Sequence, residues 1–233
     1  MTRREKHVWF SEERREADEV RRVFVCEDRG ERSGDGRREL TFRLSGPFAG
    51  RALSRLDSIA IALVHRAMAE GRDLVLHGPV SRRLLENLEE FQMAWASWRP
   101  KAYRPVEIRA EREEADPPPE AGQPAIAAFS GGVDACFTVW RHHKGAPGRY
   151  HKRLGAAVLI QGFDIPLGAP GMFSVALAGA RAMLDELGVP LLVLKTNLGQ
   201  FLPHWEMNFG AGVAACLHQF AEEFAFGLIA SDE

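Results

Sequence analysis

Apolar residues recur at helical spacing in the first half of the chain and in short unbroken runs in the second, so the two halves predict different architectures. Between residues 53 and 70, Leu56, Ile59, Ala60, Leu63, Val64 and Ala67 fall on one helical stripe, and Gly71 follows as a C-cap. Ser81 is placed to cap a second helix in which Leu84, Leu85, Leu88, Phe91, Trp95 and Trp98 share a face, before Pro100 ends it. The stretches "LTFRL", "DLVLHGPV" and "PVEIRA" read as strands around these helices. Residues 1–110 are therefore expected to form a small N-terminal α/β domain. Within it, residues 1–40 carry dense charge of both signs, and "EDRGERSGDGRRE" has the glycine and charge content of an exposed loop, so this segment is expected to be partly disordered.

The run "EREEADPPPEAGQP" marks the change of pattern. Its prolines lack the backbone N–H that a helix or a central strand requires, so residues 111–123 read as a linker. From residue 124 to 233 the apolar strands "AIAAF", "AAVLIQGF", "LLVLKT" and "GLIAS" alternate with helices near 134–143, 173–187 and 208–224. Such alternation predicts a Rossmann-like parallel sheet with helices on both faces, because parallel strands are joined by crossovers that cover the sheet.

Composition narrows the classes. A chain of 233 residues that is 45% apolar can bury a sizeable core, and a net charge of -2 gives no global reason to expect a polyanionic partner. Cys26, Cys136 and Cys216 lie far apart and form no C-x-x-C, which suggests neither a disulfide framework nor a zinc site and fits a reducing cytoplasm. The N-terminus "MTRREKHVWFSEERREADE" has no apolar core, and no window reaches the ~18 apolar residues of a membrane span, so no membrane association is expected.

The chemistry concentrates where "AIAAFSGGVDACFTVWRHH" runs from a strand through a glycine pair into an amphipathic helix. In an open parallel sheet, ligands sit at the carboxyl ends of the strands, where helix N-termini present free N–H groups. Gly131 and Gly132 let the backbone pass close to an anion, Ser130 adds a hydroxyl, and Asp134 opens the helix. An aspartate beside phosphates needs a cation between them, so the pattern points to a magnesium-bound polyphosphate. The competing reading is a plain βα turn, with Asp134 as N-cap and glycines serving geometry alone. The chain has neither a G-x-x-x-x-G-K-[ST] nor a G-x-G-x-x-G fingerprint.

"FSGGVDA" resembles the S-G-G-x-D-[ST] PP-loop of the ATP pyrophosphatase superfamily, the adenine nucleotide alpha hydrolase-like fold, over residues 124–233. That superfamily includes GMP synthetase, NAD synthetase, asparagine synthetase, tRNA-thiolating enzymes and 7-cyano-7-deazaguanine synthase. The resemblance implies an ATP-dependent ligase that moves AMP onto a substrate carboxylate or carbonyl oxygen, releases pyrophosphate, and then forms an amide, nitrile or thio group. By position, Ser130, Gly131, Gly132 and Val133 would hold the pyrophosphate of ATP and Asp134 the Mg2+. Gly162, Phe163 and Asp164 would lie beside adenine, with Ser231 and Asp232 bordering the reaction centre. Two departures stand out. Ala135 replaces the final hydroxyl of the motif, and the chain stops at Glu233 where relatives continue, so a fragment or truncated product is expected. "GLIAS" is expected to pair in parallel with "AIAAF" and leave an open edge for self-association. The alternatives are a non-catalytic nucleotide-binding or assembly module and a tRNA-modifying thiolase.

Further residues were weighed against plainer roles. Lys195, after the third strand of the second half, is placed to stabilise negative charge developing at a phosphate, and Asn197 or Asn208 to orient a small-molecule substrate. Cys136 sits in the first turn of a helix, where a thiol is acidified, although a packing role explains it too. Arg141, His142, His143, Lys144, Arg149, His151, Lys152 and Arg153 form a basic run that would meet tRNA, or line a solvated loop. His142 and His143 are adjacent and diverge from a helix, so they make no metal pair.

Overall fold

The apolar runs of the second half pair side by side, as their composition predicts. In the computed structural model, which describes residues 4–16, 18–30, 36–47, 51–116, 122–143 and 149–230, they form β6 (Ala125–Ala128), β7 (Leu154–Gln161), β8 (Leu191–Thr196) and β9 (Phe226–Leu228). β6 is parallel to both β7 and β9, and β7 is parallel to β8. "GLIAS" thus lies in parallel beside "AIAAF". The connecting helices are α3 (Val133–His143), α4 (Pro170–Leu187) and α5 (Trp205–Leu217), the last running on into a 3-10 turn at His218–Phe220.

The first half supplies β1 (Glu5–Glu16), β2 (Glu19–Arg29), β3 (Arg38–Ser45), α1 (Asp57–Glu70), β4 (Asp73–Ser81), α2 (Arg82–Trp98) and β5 (Ile108–Glu114). β1–β2 and β2–β3 are antiparallel, whereas β4 lies parallel to β1 and to β5. An antiparallel pairing of β3 with β8 joins both halves into one nine-stranded sheet, in the order β5-β4-β1-β2-β3-β8-β7-β6-β9. The sheet is therefore mixed, and only its β8-β7-β6-β9 portion is the parallel arrangement that the alternation predicts.

The structure corrects the expectation of partial disorder over residues 5–16 and 19–29, while 31–35 of the expected exposed loop lie outside the described residues. Glu5–Glu16 and Glu19–Arg29 are long strands instead of a disordered charged segment. Their inner face is mostly apolar, with Val8, Val20, Phe24 and Cys26 buried in the main core, and it also buries Lys6 and Arg22. The charges that obscured this pattern sit largely on the other face, where Arg21 donates to Glu12 at 3.0 Å and Arg14 donates to the same carboxylate at 3.1 Å. The linker reading also shifts. Residues 111–114 belong to β5 at the sheet's edge, which tolerates a solvated charged strand, and 117–121 lie outside the described residues.

Both predicted N-terminal helices are present, with their caps. Gly71 adopts φ 60° and returns its N–H to Ala67 O, while Ser81 Oγ accepts from Leu84 N at 3.0 Å. Trp98 shares the α2 stripe yet is 67% exposed, because the helix runs past the core there. α1, α2 and α5 cover one face of the sheet. α3 and α4 cover the other face of its parallel part, over Ala127, Phe129, Ala157 and Leu159. Among the described residues no helix is long and apolar enough to cross a membrane.

Candidate functional site

The glycine turn follows β6 at the carboxyl edge of the sheet. Strands leave β6 in both directions there, β7 on one side and β9 on the other, which is where open parallel sheets take ligands. Phe129 N still donates to Val158 O at 2.9 Å; the chain then turns, with Gly132 N donating to Ser130 Oγ at 3.3 Å. Cys136 N donates to Gly132 O at 2.9 Å and closes the first turn of α3. Ser130, Gly132, Val133 and Asp134 are all exposed. The Asp134 carboxylate has no hydrogen bond or ion pair with any described residue.

The two glycines differ. Gly131 has φ 82°, a conformation that excludes most side chains, so the turn itself requires it. Gly132 has no such conformation, and a Cβ there would meet only Ser130 Oγ at 3.4 Å. Nothing in the fold demands glycine at 132; its effect is to keep the space over the α3 N-terminus open. Ala135, in contrast, is 4% exposed and packs in the apolar cluster with Phe129 and Val139.

Gly162 follows β7 with φ 124° and donates its N–H to Ile165 O at 2.9 Å, forming a tight turn against the end of β8. Phe163 directs its ring to α5, 4.5 Å from Trp205, and Asp164 is exposed. Ser231 and Asp232 lie outside the described residues.

Lys195 stands apart from the turn in sequence but on the same edge and face of the sheet. It borders a cavity of about 510 Å³ between the outer face of β3 and β8 and the first turns of α4. Phe173, Leu167 and Leu177 give the cavity an apolar wall, and Thr41, Gln161 and Ser174 give it polar edges. Arg43 is directly opposite Lys195 in the β3–β8 ladder and also lines it. Lys195 Nζ lies 5.2 Å from the Phe173 ring centroid. One helix borders both places: Phe173, Ser174 and Leu177 of α4 face the cavity, and Met183 of α4 lies 3.7 Å from Cys136 Sγ beside the turn. Arg43, Phe173 and Ser174 were not legible as site residues, since only the β3–β8 pairing brings them together.

The remaining candidates are engaged in the fold. Asn197 Oδ1 accepts from Thr41 N at 2.8 Å and its Nδ2 donates to Glu39 O at 2.8 Å, fastening β3 to the end of β8. Asn208 is fully buried and donates to Tyr103 Oη at 3.3 Å and to His204 O. In the basic run, Lys152 N donates to His142 Nδ1 at 3.0 Å, His151 stacks on His142, and Lys152 Nζ lies 4.0 Å from the Phe226 ring centroid. Lys144 lies outside the described residues. Burial pushes the Cys26 thiol up to about 12 and that of Cys216 higher still, so neither is a ready nucleophile. Half-buried Cys136 has its Sγ 3.6 Å from Gly131 O.

No family model, curated protein or solved structure matches this chain.

Proposed function

We propose that the protein binds a magnesium nucleoside triphosphate, ATP, at Ser130–Asp134 and transfers AMP to an oxygen of a small organic substrate. The observation that carries this reading is Gly132, a glycine that the backbone does not need, beside an exposed helix N-terminus and a carboxylate without a partner among the described residues. Backbone N–H groups of Gly131, Gly132 and Val133 donate to the pyrophosphate oxygens, and Ser130 adds its hydroxyl. Asp134 is the residue that would hold magnesium. Among the described residues there is no cluster of three or more His, Cys, Asp or Glu side chains able to bind a metal. One carboxylate with the phosphate oxygens and water fits Mg2+, which commonly binds nucleotides that way and supplies charge neutralisation.

In the reaction, a substrate carboxylate or carbonyl oxygen attacks Pα, the bond from Pα to the bridging oxygen of the β-phosphate breaks, and pyrophosphate leaves. A nitrogen or sulfur nucleophile then displaces AMP, giving an amide or thio product; where the adenylated oxygen is that of an amide, loss of AMP and of the remaining nitrogen-bound proton gives a nitrile instead. Lys195 stabilises charge on the transferring phosphoryl group, and Gly162, Phe163 and Asp164 edge the adenine site.

A second reading, a nucleotide-binding or assembly module without turnover, is favoured by Ala135, whose methyl group is buried where relatives of this motif carry a hydroxyl. The tRNA thiolase reading gains no support from His142, His151 and Lys152 of the basic run, which bind one another. A cytoplasmic setting accords with three free cysteines.

Mg-ATP at millimolar concentration should raise the melting temperature, since a ligand of the native state stabilises it by mass action, and Gly132→Val should abolish the shift. An unchanged melting curve for the wild-type protein overturns nucleotide binding. A shift without pyrophosphate release across a panel of organic acids selects the module.

A further inference from the structure

We infer that the cavity between β3, β8 and α4 is the site of the accepting substrate, and that this substrate is an organic acid: a carboxylate carried on a flat or short apolar body. The inference rests on the adenylation reading above for its chemistry, though not for its binding.

The charge of the site is decided by the sheet register. Arg43 and Lys195 are cross-strand partners of an antiparallel pair, so their side chains leave the sheet on the same face. Like charges directly opposite each other destabilise a sheet. Among the described residues no acidic side chain lines the cavity, so neither cation is neutralised within it by one of them. The nearest carboxylate to Arg43 is that of Glu19 at 3.8 Å, outside hydrogen-bond reach, on a guanidinium that is 54% exposed. Lys195 makes no ion pair with a described residue and rests near the Phe173 ring. An anion between them would turn a repulsive pair into two charge-assisted contacts.

The shape of the site selects the rest of the molecule. Its volume of about 510 Å³ falls within the range of small-molecule sites, which are mostly apolar with a few fixed polar groups. Phe173, Leu167, Pro170 and Leu177 offer a continuous apolar wall along α4. Gln161 holds its side chain in place by donating to Pro166 O at 3.0 Å, and it is in register with Lys195 on the neighbouring strand. A bare phosphate would leave that wall wet, and an amide or ester would leave Lys195 without a charged partner among the described residues and Arg43 with Glu19 alone at 3.8 Å. A carboxylate held at Arg43 and Lys195 lies on the same edge and face of the sheet as the Ser130–Asp134 turn, with α4 bordering both. The first half of the chain thereby has a role in the site: it contributes Arg43 and Thr41.

The test is ligand-observed NMR and calorimetry on the full chain, with 3-phenylpropanoate, its neutral amide and inorganic phosphate as probes, in the absence of nucleotide. The acid should bind at least tenfold more tightly than either of the other two, and Arg43→Gln and Lys195→Met should each weaken it by about tenfold. Both residues are partly exposed, so the variants keep the fold, as circular dichroism will verify. Equal binding of acid and amide, tighter binding of phosphate, or no response to either substitution overturns the inference. Mg-ATP binding is titrated separately on the same protein. Acid binding without nucleotide binding removes the adenylation reading and leaves the acid site; nucleotide binding without acid binding removes the acid site alone.

Discussion

A Cβ on Gly162 would overlap the carbonyl oxygen of Thr196, because the turn after β7 presses directly against the end of β8 at φ 124°. Both the backbone conformation and the clash oppose any side chain. Gly162→Ala should therefore lose about 3 kcal/mol or more of stability. Urea denaturation measures this, and a loss below about 1 kcal/mol would show that the turn relaxes away from β8.

Arg22 provides a second test of the sheet's construction. It is 2% exposed, donates to Glu13 at 2.9 Å and to Gln219 O at 2.7 Å, and also reaches Arg51 O, tying β2 to the turn after α5. Arg22→Met should cost about 3 kcal/mol, since two carbonyl groups lose their donor and the half-buried Glu13 carboxylate keeps only Arg15. Equilibrium unfolding of the variant checks it; a stability within 0.5 kcal/mol of wild type, by the same order-of-magnitude reasoning, would show that Met repacks the gap.

His65 makes stability depend on pH. Both ring nitrogens lack partners among the described residues, the ring sits among Phe91, Trp95 and Tyr103, and burial lowers its pKa to about 4. The unfolded chain takes up the proton near pH 6.5 while the folded chain does not, so the stability is complete above 6.5 and falls as pH drops toward 4. Between pH 7 and pH 5 this group alone should remove roughly 2 kcal/mol. His65→Phe should flatten the difference between unfolding curves at those two pH values; parallel curves for the two proteins would refute it.

Ala135→Ser separates the two functional readings. Burying a hydroxyl in the cluster beside Phe129 and Val139 should lower stability by about 1 kcal/mol. On the PP-loop reading this hydroxyl leaves the cluster for a phosphate oxygen when Mg-ATP binds, and the melting shift given by Mg-ATP should then exceed that of the wild-type protein, or turnover should be faster. A smaller shift would show that the turn departs from the PP-loop geometry, and the roles carried over to Ser130 and Asp134 would then fall.

Self-association is expected at the β9 edge. β9 ends the sheet order, and Ile229 just beyond it is 40% exposed, as is the α3 stripe of Phe137 at 55% and Trp140 at 49%. Sedimentation velocity should show concentration-dependent association that Ile229→Lys reduces. A monodisperse monomer at high concentration in the wild-type protein would rule it out.

Helices α1 and α2 and the parallel strands β6 to β9 were legible because their signals are local. Ile59, Leu63 and Ala67 repeat at the helical period, Gly71 and Ser81 supply caps from their own neighbourhood, and "LLVLKT" is apolar because both faces of a parallel strand are covered. The Ser130–Asp134 turn was legible for the same reason: strand, glycines and helix are contiguous. β1 and β2 were not, because the charges of their outer face, compensated by cross-strand partners such as Glu12 and Arg21, nine residues apart around a turn, mask the alternation of their buried inner face. The antiparallel pairing of β3 with β8 and the placing of Arg43 opposite Lys195 were decided by tertiary structure alone. Strand register between segments 150 residues apart depends on the summed fit of two sheet faces, and no local pattern in either segment encodes its partner.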